Sequence, residues 1–506
     1  MRKILIAVTC FCTVATFAQS PKQLQKIAAT IKPSSLKDKL SVIAGAAMEG
    51  RETATPGQKM AAAYIENYFK ELGLQPASAV GYQMYFTVYQ DSVSSSSLKI
   101  NNSDLAVNKD YALSRASITT GSWTEDSIVF ASFGIVDSTT NDYKTLSVKD
   151  KWVVVADGKP EDADNAGPAA EYSFRNPATA FMKLYQAKLN GAKGLIIVSK
   201  DFPGDGAASY KGNMYLKKGN GKNIPALYVS YKVAEALTGK KLQSFADIKS
   251  IAPGAYATVF SFSSDVVTNT LQSSNVIGVM PGTDKKDEYV FVTGHYDHLG
   301  KKGDNIYYGA DDDGSGTTGV LQIAAAFAKA KQKGYNPRRT MVFMTVSGEE
   351  KGLWGSEYYT ANPLFPLDKT SVDLNIDMVG RIDPQRKYGD STNYVYTIGE
   401  DKLSTDLLPI SDSINNNFVH LELDRKYNDP KDPNRFYYRS DHYNFAKRGV
   451  PVIFYFNGTH ADYHKPTDTV DKIDFPLMAK RVKLVFYTAW NMANRNDMLK
   501  RDIPLK

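Results

Sequence analysis

Cysteine is almost absent from this sequence: the 506 residues contain two, Cys10 and Cys12, and both lie near the N-terminus. They fall within residues 1–18, where two basic residues, an apolar run over 4–14 and small residues around Ala18 form the pattern of a secretory signal peptide cleaved after Ala18. We therefore expect a secreted or periplasmic mature chain without cysteine. This excludes disulfides and thiolate ligands, so any metal site must use histidine and carboxylate side chains.

Long apolar runs and clustered charge are also missing. Beyond the N-terminal segment no stretch is long and apolar enough to cross a bilayer, so we expect no membrane anchor in the mature chain. The formal net charge is +7, or 7 − 2 = +5 without Arg2 and Lys3, and the basic residues are scattered. This distribution predicts no nucleic-acid partner, whereas the oligomeric state stays open.

The second half of the chain alternates apolar strands with helices. Four continuous apolar runs predict buried strands, at 275–280, 289–294, 340–347 and 372–377. Helix-like segments lie between them, such as 318–331, whose apolar residues recur every three or four positions. This alternation is typical of an α/β fold with a mostly parallel central sheet flanked by helices.

The segment 116–265 has a different character, because it consists largely of short β-rich pieces and contains no histidine. We predict a separate, non-catalytic domain there. It would be inserted between an N-terminal part of the main domain, 19–115, and its larger part, 266–506. Local patterns in the N-terminal part predict a helix at 59–72, a strand at 83–89 and a loop over the serine-rich residues 92–97.

Candidate site residues lie where the predicted strands end, which is the edge at which open α/β sheets bind ligands. His295 and Asp297 follow one strand directly, and Asp377 closes another. The remaining candidates lie after a strand or in loops: Glu349, Glu350, the triplet Asp311 to Asp313 in GADDDGSG, and His464 in ADYHKPTDT. We therefore expect these groups to gather at one rim of the sheet.

The residue types suit a pair of metal ions. Imidazole and carboxylate are the ligands expected in a site without cysteine, and paired ions ~3.5–4 Å apart share a bridging carboxylate that the Asp-rich loop can supply. In the Gly-Glu-Glu sequence the adjacent side chains diverge, so one can bind metal while the other acts as a general base. Asp297 can accept the second N–H of His295. Alone, each pattern also fits a solvated turn or helix start; their joint occurrence favours a site.

The series GHYDHLG, GADDDGSG, SGEEKGLWGS, NIDMVGR and DYHKPTDT resembles the co-catalytic di-zinc aminopeptidase family, which is related to glutamate carboxypeptidase II and the inactive transferrin receptor ectodomain. The similarity extends to MEGRETATPG at 48–57 and RSDHYNFAKRGVP at 439–451. The middle domain resembles the protease-associated (PA) domain that several members carry as an insert. The resemblance implies the zinc exopeptidase fold and a peptide substrate hydrolysed by a water that two metal ions activate.

Site roles follow from the resemblance, position by position. It implies two zinc ions per chain and five ligands: His295 and Asp377 on one ion, Glu350 and His464 on the other, and Asp312 as the bridge. It also implies a general base, an oxyanion donor and a substrate-binding residue, which are Glu349, Tyr463 and Arg439 in that order. Three other histidines match no ligand and are expected to be structural or rim residues: His298, His442 and His460.

Three functions remain open from the sequence. An aminopeptidase, which removes residues from a free N-terminus, is the main expectation. A carboxypeptidase or dipeptidase of the same family would need a basic pocket for the substrate carboxylate, for which Arg381, Arg439 and Lys465 are candidates. A binding protein that uses the peptidase domain as a scaffold is the third. The complete ligand set favours a hydrolase.

Overall fold

The computed structural model describes residues 21–161, 176–202, 211–216 and 223–505. Its α-helices in this part of the chain are α1 (Pro21–Ala28), α2 (Pro33–Ile43), α3 (Pro56–Glu71), α4 (Ala180–Leu189), α5 (Tyr231–Thr238), α6 (Gly316–Gln332), α7 (Trp354–Ala361), α8 (Leu407–Ile414), α9 (His442–Ala446) and α10 (Phe475–Asn494). The signal peptide expected over residues 1–18 lies outside the described residues.

The strands are, in chain order, β1 (Gln75–Pro76), β2 (Gln83–Ile100), β3 (Ser103–Leu105), β4 (Tyr111–Leu113), β5 (Gly121–Phe130), β6 (Trp152–Ala156), β7 (Gly194–Val198), β8 (Lys211–Tyr215), β9 (Ala226–Val229), β10 (Gly254–Met280), β11 (Lys285–His295), β12 (Lys301–Lys302), β13 (Asn305–Ile306), β14 (Arg339–Val346), β15 (Thr370–Ile376), β16 (Tyr394–Ile398), β17 (Glu422–Asp424) and β18 (Val452–Phe456).

The chain forms two compact units. The first combines Met1–Phe86 with Gln272–Lys506, and the second is Thr87–Leu271. In the first unit the strand order is β17-β16-β18-β15-β11-β14, followed by the C-terminal part of β10. The neighbours β14, β11, β15 and β18 run parallel, whereas β10 is antiparallel to β14 and β16 is antiparallel to β18. The predicted mostly parallel sheet is therefore confirmed.

Burial explains why the central strands read as continuous apolar runs. Every residue of β14, β15 and β18 is buried, as are the last six of β11, because helices cover the sheet. Helices α6 and α10 supply much of this cover through residues such as Phe327 and Phe486, whose ring centroids lie 5.5 Å apart. The arrangement leaves the carboxyl ends of four parallel strands at one edge.

The second unit has its own hydrophobic core. The N-terminal part of β10 pairs antiparallel with β5, and β5, β6, β7 and β9 follow as parallel neighbours. Trp152 is fully buried at the centre of this core, with the ring of Phe260 4.7 Å away. The ends of the unit meet, because Asn269 Nδ2 donates to the Gln90 carbonyl at 3.2 Å and Thr268 Oγ1 to Asp91 Oδ1 at 2.7 Å.

Two details of the N-terminal half differ from the sequence prediction. The expected loop at 92–97 is wrong: these residues continue β2, where Val93 is buried while Ser94 and Ser95 bond Asp265 at the exposed face. Serine side chains can hydrogen-bond a neighbouring strand within a β-sheet, although a serine-rich sequence is typical of a loop. The second unit also begins at Thr87 and ends at Leu271, so the expected boundaries at 116 and 265 lie inside it.

Helix length bears on the membrane question. Within the described residues, no helix is both long and apolar enough to span a bilayer.

Candidate active site

The ends of the parallel strands bring the candidate residues together. His295 is the last residue of β11, Asp377 directly follows β15, and Glu349 and Glu350 lie in the turn after β14. Since β11 pairs parallel with both β14 and β15, these ends lie at the same edge of the sheet. The predicted gathering at one rim is what the geometry shows.

Asp312 divides its two carboxylate oxygens between two histidines. Its Oδ1 lies 3.3 Å from Nε2 of His295, and its Oδ2 lies 3.1 Å from Nε2 of His464. His295 Nε2 is also 3.6 Å from Asp377 Oδ1, whereas His464 Nε2 is 3.2 Å from Glu350 Oε2. Two groups of ligand-type atoms are thus formed, and both include Asp312.

These separations fit metal ligands. A tetrahedral ion with bonds of about 2.0–2.1 Å holds its ligand atoms about 3.3 Å apart. The buried atoms His295 Nε2 and Asp312 Oδ2 have no hydrogen-bond partner among the described residues, although unpaired buried polar atoms are unfavourable. The chemistry of the donors, imidazole nitrogen and carboxylate oxygen, suits zinc. The residues present therefore fit a metal centre.

Asp377 is oriented by a buried chain of hydrogen bonds. Ser440 Oγ donates to Asp377 Oδ2 at 2.6 Å, and Asn375 Nδ2 donates to Ser440 Oγ at 2.9 Å. Thr293 Oγ1 lies 2.9 Å from Asn375 Oδ1 and 2.8 Å from Asp373 Oδ1. One oxygen of Asp377 is thereby held by the protein while the other faces His295.

The Asp-rich segment is fixed by carboxylates that sequence reasoning did not assign. Asp313 accepts the main-chain N–H groups of His295, Gly316 and Met378, and Asp468 accepts those of Asp311 and Asp312. The resemblance assigns the bridging position to neither Asp311 nor Asp313. Their side chains instead tie this segment to the ends of β11 and β15.

Glu349, Tyr463 and Arg439 line a small cavity beside Asp312 and Asp377. The lining of the cavity also includes the apolar side chains of Met378, Phe436, Phe454 and Phe456. Arg439 Nη2 donates to Tyr463 Oη at 3.3 Å, and the Tyr463 ring stacks on His464 with centroids 3.8 Å apart. Burial raises the pKa of Glu349 and of Tyr463 well above their usual ranges.

Asp297 lies beside His295, but its contacts differ from the expected one. The nearest acceptor for His295 Nδ1 is the Asp297 main-chain carbonyl at 3.1 Å, and the carboxylate is 3.7 Å away. The carboxylate instead accepts the Thr53 hydroxyl at 2.7 Å and the Glu349 N–H at 3.2 Å. Asp297 therefore orients the Glu349 turn as well as the histidine.

The three remaining histidines of the sequence analysis have different surroundings. His442 is buried and stacks on Phe454, and burial lowers its pKa to about 3. His460 Nε2 lies 3.2 Å from Asp311 Oδ2. His298 is closest to the centre, because its Nδ1 is 2.6 Å from Glu350 Oε1. His298, Asp312 and Glu350 also form a group of ligand-type atoms that could hold a metal ion, so the structure brings His298 to the candidate metal centre although the resemblance assigns it no ligand role.

Comparison with known sequences identifies relatives of the second half of the chain. Residues 275–489 match the sequence model of Peptidase family M28. A probable leucine aminopeptidase of Trichophyton verrucosum is 27% identical over 239 residues, 45% of this chain and 60% of that protein. A probable glutamate carboxypeptidase of Arabidopsis thaliana is 31% identical over 157 residues, 30% of this chain and 22% of the relative. A probable zinc metalloprotease of Pyrenophora teres f. teres is 28% identical over 264 residues, which are 44% of this chain and 52% of that protein. The chain thus spans less than two thirds of the length of each of these three.

Solved structures share the fold over almost the whole chain. An aminopeptidase from Aneurinibacillus sp. strain AM-1 superposes with a TM-score of 0.58 at 18% identity, covering 95% of this chain and 99% of the other. A zinc aminopeptidase from Bacillus subtilis gives 0.56 at 19% identity, with 94% and 99% covered. The resemblance of the middle domain to a PA domain stays a prediction. Residues 275–489 are therefore similar to Peptidase family M28, and the solved structures share the fold of the chain.

Proposed function

We propose that this chain is a secreted zinc aminopeptidase in which two zinc ions share Asp312. The observation that carries the proposal is the orientation of Asp312, whose two oxygens face His295 and His464 separately. The names of the relatives, a leucine aminopeptidase and a zinc metalloprotease among them, agree with this metal and this reaction. Secretion is supported by the N-terminal signal pattern of the sequence.

The residues around Asp312 supply the rest of the metal centre. His295 and Asp377 would complete one zinc site, and Glu350 and His464 the other. Zinc bound there supplies Lewis-acid activation of water and of the substrate carbonyl. The protein contributes the fixed positions of these ligands, which the hydrogen bonds to Asp377 and to the Asp-rich segment maintain.

Glu349 and Tyr463 are suited to the proton and charge movements of peptide hydrolysis. Glu349 would accept a proton from the attacking water and deliver it to the leaving amine, because its carboxylate faces the cavity and its main chain is anchored on Asp297. The raised pKa keeps the Tyr463 phenol protonated at neutral pH, so the hydroxyl can donate to the oxyanion.

The cavity suggests which end and which side chain of a peptide bind. Its lining includes the carboxylates of Asp312, Glu349 and Asp377, which attract a cationic α-amine. Its apolar lining of Met378, Phe436, Phe454 and Phe456 favours an apolar N-terminal side chain and disfavours a charged one, which would be desolvated without a partner.

A carboxypeptidase or dipeptidase is the second candidate, because Arg439 lines the same cavity and is exposed. Its guanidinium could bind a substrate carboxylate. It is, however, already engaged with the Tyr463 hydroxyl and stacked 4.7 Å from the Phe436 ring. These contacts favour a role beside Tyr463.

Blocked peptides distinguish the two candidates. One short peptide with an apolar N-terminal residue is incubated with zinc-loaded protein in three forms: free, N-acetylated and C-amidated. We expect stepwise loss from the N-terminus that only acetylation prevents. Cleavage that amidation prevents and acetylation does not would favour the carboxypeptidase, and no cleavage of any form would contradict both.

A further inference from the structure

Arg51 is a fully buried arginine beside the proposed metal centre. Its side chain donates four hydrogen bonds, and all four acceptors are main-chain carbonyls: Tyr296 at 2.7 Å, Ile43 at 2.8 Å, Tyr308 at 2.7 Å and Gly309 at 2.9 Å. No ion pair links Arg51 to a carboxylate in the described part of the chain. A buried arginine usually pairs with an acid, so this arrangement calls for another explanation.

The bonded carbonyls belong to the segments that carry ligands. Tyr296 directly follows His295, whereas Tyr308 and Gly309 lead into the segment of Asp312. The planar guanidinium has donors in fixed directions, so it sets the distance between these two segments in a way that a flexible ammonium group cannot. Arg51 therefore connects the two sides of the candidate metal centre.

The charge of Arg51 also faces the acids of the site. Burial lowers its pKa to about 10, and the carboxylates of Asp297, Asp313 and Asp312 oppose that shift, so the side chain is cationic at neutral pH. It thus provides a permanent positive charge next to a group of carboxylates that would otherwise repel one another. This charge does not depend on whether a metal is bound.

Thr53, two residues further on, is linked to the Glu349 turn through Asp297. Its hydroxyl donates to Asp297 Oδ2 at 2.7 Å, and Asp297 Oδ1 accepts the Glu349 N–H. The backbone around it is tightly packed, because a Cβ on Gly50 would lie 2.4 Å from the carbonyl oxygens of Gly300 and Tyr307. Arg51 and Thr53 therefore contact the segment after β11 and the segment that leads to Asp312, and Thr53 reaches the Glu349 turn through Asp297.

We propose that Arg51 and Thr53 are positioning residues for the metal centre, Arg51 acting on the segments of His295 and Asp312 and Thr53 acting through Asp297. The inference rests on the proposed metal-dependent function. It assigns to the MEGRETATPG stretch a role at the site, although neither residue contacts a ligand side chain directly.

Arg339 offers a matched control. It is also fully buried and donates to three main-chain carbonyls, those of Met492, Arg495 and Asn496, together with the Glu288 carboxylate. It lies at the first residue of β14, the opposite end of the sheet from Glu349. Loss of Arg339 should therefore destabilise the fold without changing the metal centre.

The test measures zinc affinity directly. Metal-free wild type, Arg51→Lys, Thr53→Val and Arg339→Lys are titrated with Zn²⁺ against a chromophoric chelator, and their folding is checked by circular dichroism. We expect zinc affinity to fall about 10–100-fold in Arg51→Lys and less in Thr53→Val, as for other residues that orient ligands, and to stay unchanged in Arg339→Lys. The rise in melting temperature on adding zinc should shrink in the same order.

The outcomes separate this inference from the function on which it rests. If wild type binds no zinc, the proposed function fails and the inference with it. If wild type binds zinc and Arg51→Lys binds equally well, the inference alone is overturned. Where Arg51→Lys does not fold, Thr53→Val decides: wild-type affinity in that variant overturns the inference, and weakened binding with a native spectrum supports it.

Discussion

Nε2 of His464 lies 3.2 Å from Oε2 of Glu350, although one residue follows β14 and the other lies in a loop after β18. Asp312 Oδ2 lies 3.1 Å from the same His464 nitrogen, so the imidazole and the two carboxylates converge. Such convergence of histidine and two carboxylates is the arrangement that a cation stabilises.

His464→Ala should remove one of two zinc ions and most of the activity, because it takes away the imidazole that lies 3.1 Å from Asp312 Oδ2 and 3.2 Å from Glu350 Oε2. Metal analysis of protein never exposed to chelator provides the measurement. His420→Ala is the matched control: both histidines have a positive φ, 57° and 60°, so the backbone cost of alanine is the same. Two ions retained in His464→Ala would contradict the assignment.

Glu349→Gln should fold and keep its zinc but lose about 10²–10⁴-fold in kcat, which is the usual contribution of a general base. The amide keeps the shape of the side chain and cannot accept the proton. Steady-state kinetics with metal analysis on the same sample checks this prediction. Retention of more than a tenth of the wild-type kcat would mean that another group is the base.

Tyr463→Phe should lower kcat about 10²–10³-fold with little change in KM, as expected when one donor to an oxyanion is removed. The ring that stacks on His464 remains, so the metal content should be unchanged. An effect confined to KM would instead point to a role in ground-state binding.

Asp373→Asn should make the protein more stable than wild type at pH 8. Burial raises the pKa of Asp373 from 3.8 to about 7, and its Oδ2 has no hydrogen-bond partner. A raised acid pKa adds stability below pH 3.8, and this contribution is lost as the pH rises to about 7. The asparagine variant does not titrate, so it avoids this loss, which is at most roughly 4 kcal/mol.

Urea unfolding of wild type and Asp373→Asn at pH 5 and pH 8 measures the effect. The difference between the two proteins at each pH isolates Asp373, since the other groups titrate alike in both. A difference in unfolding free energy that does not change between these pH values would show that Asp373 is already ionised in the fold.

The residues predicted best from the sequence were those at the ends of buried strands. His295 and Asp377 interrupt apolar runs, and β-strand geometry fixes where such an interruption emerges. The Asp-rich turn and the Gly-Glu-Glu pair were recognised as site candidates because of their positions relative to these strands. Their joint occurrence, rather than any single pattern, predicted a site, and the individual roles came from the family resemblance.

Residues that act through distant contacts were not predictable in this way. Ser440 and Asp468 look like ordinary loop residues, and only the folded chain brings them to Asp377 and Asp312. The Asp297 carboxylate was assigned to His295 because of its spacing, whereas the fold offers it Thr53 and the Glu349 N–H at shorter distances. Competition among partners is a property of the tertiary structure.

The meeting of Gln90 with Asn269 has a consequence for the order of folding. The first unit is built from two stretches separated by Thr87–Leu271, and closing a disordered loop of that length costs about 4–5 kcal/mol of chain entropy. Once the second unit has folded, its two ends are already adjacent, and the effective loop is only a few residues long. We therefore expect amides of β5 and β6 to gain hydrogen-exchange protection during refolding before those of β11, so that the unit with the candidate metal centre assembles after the second unit has folded.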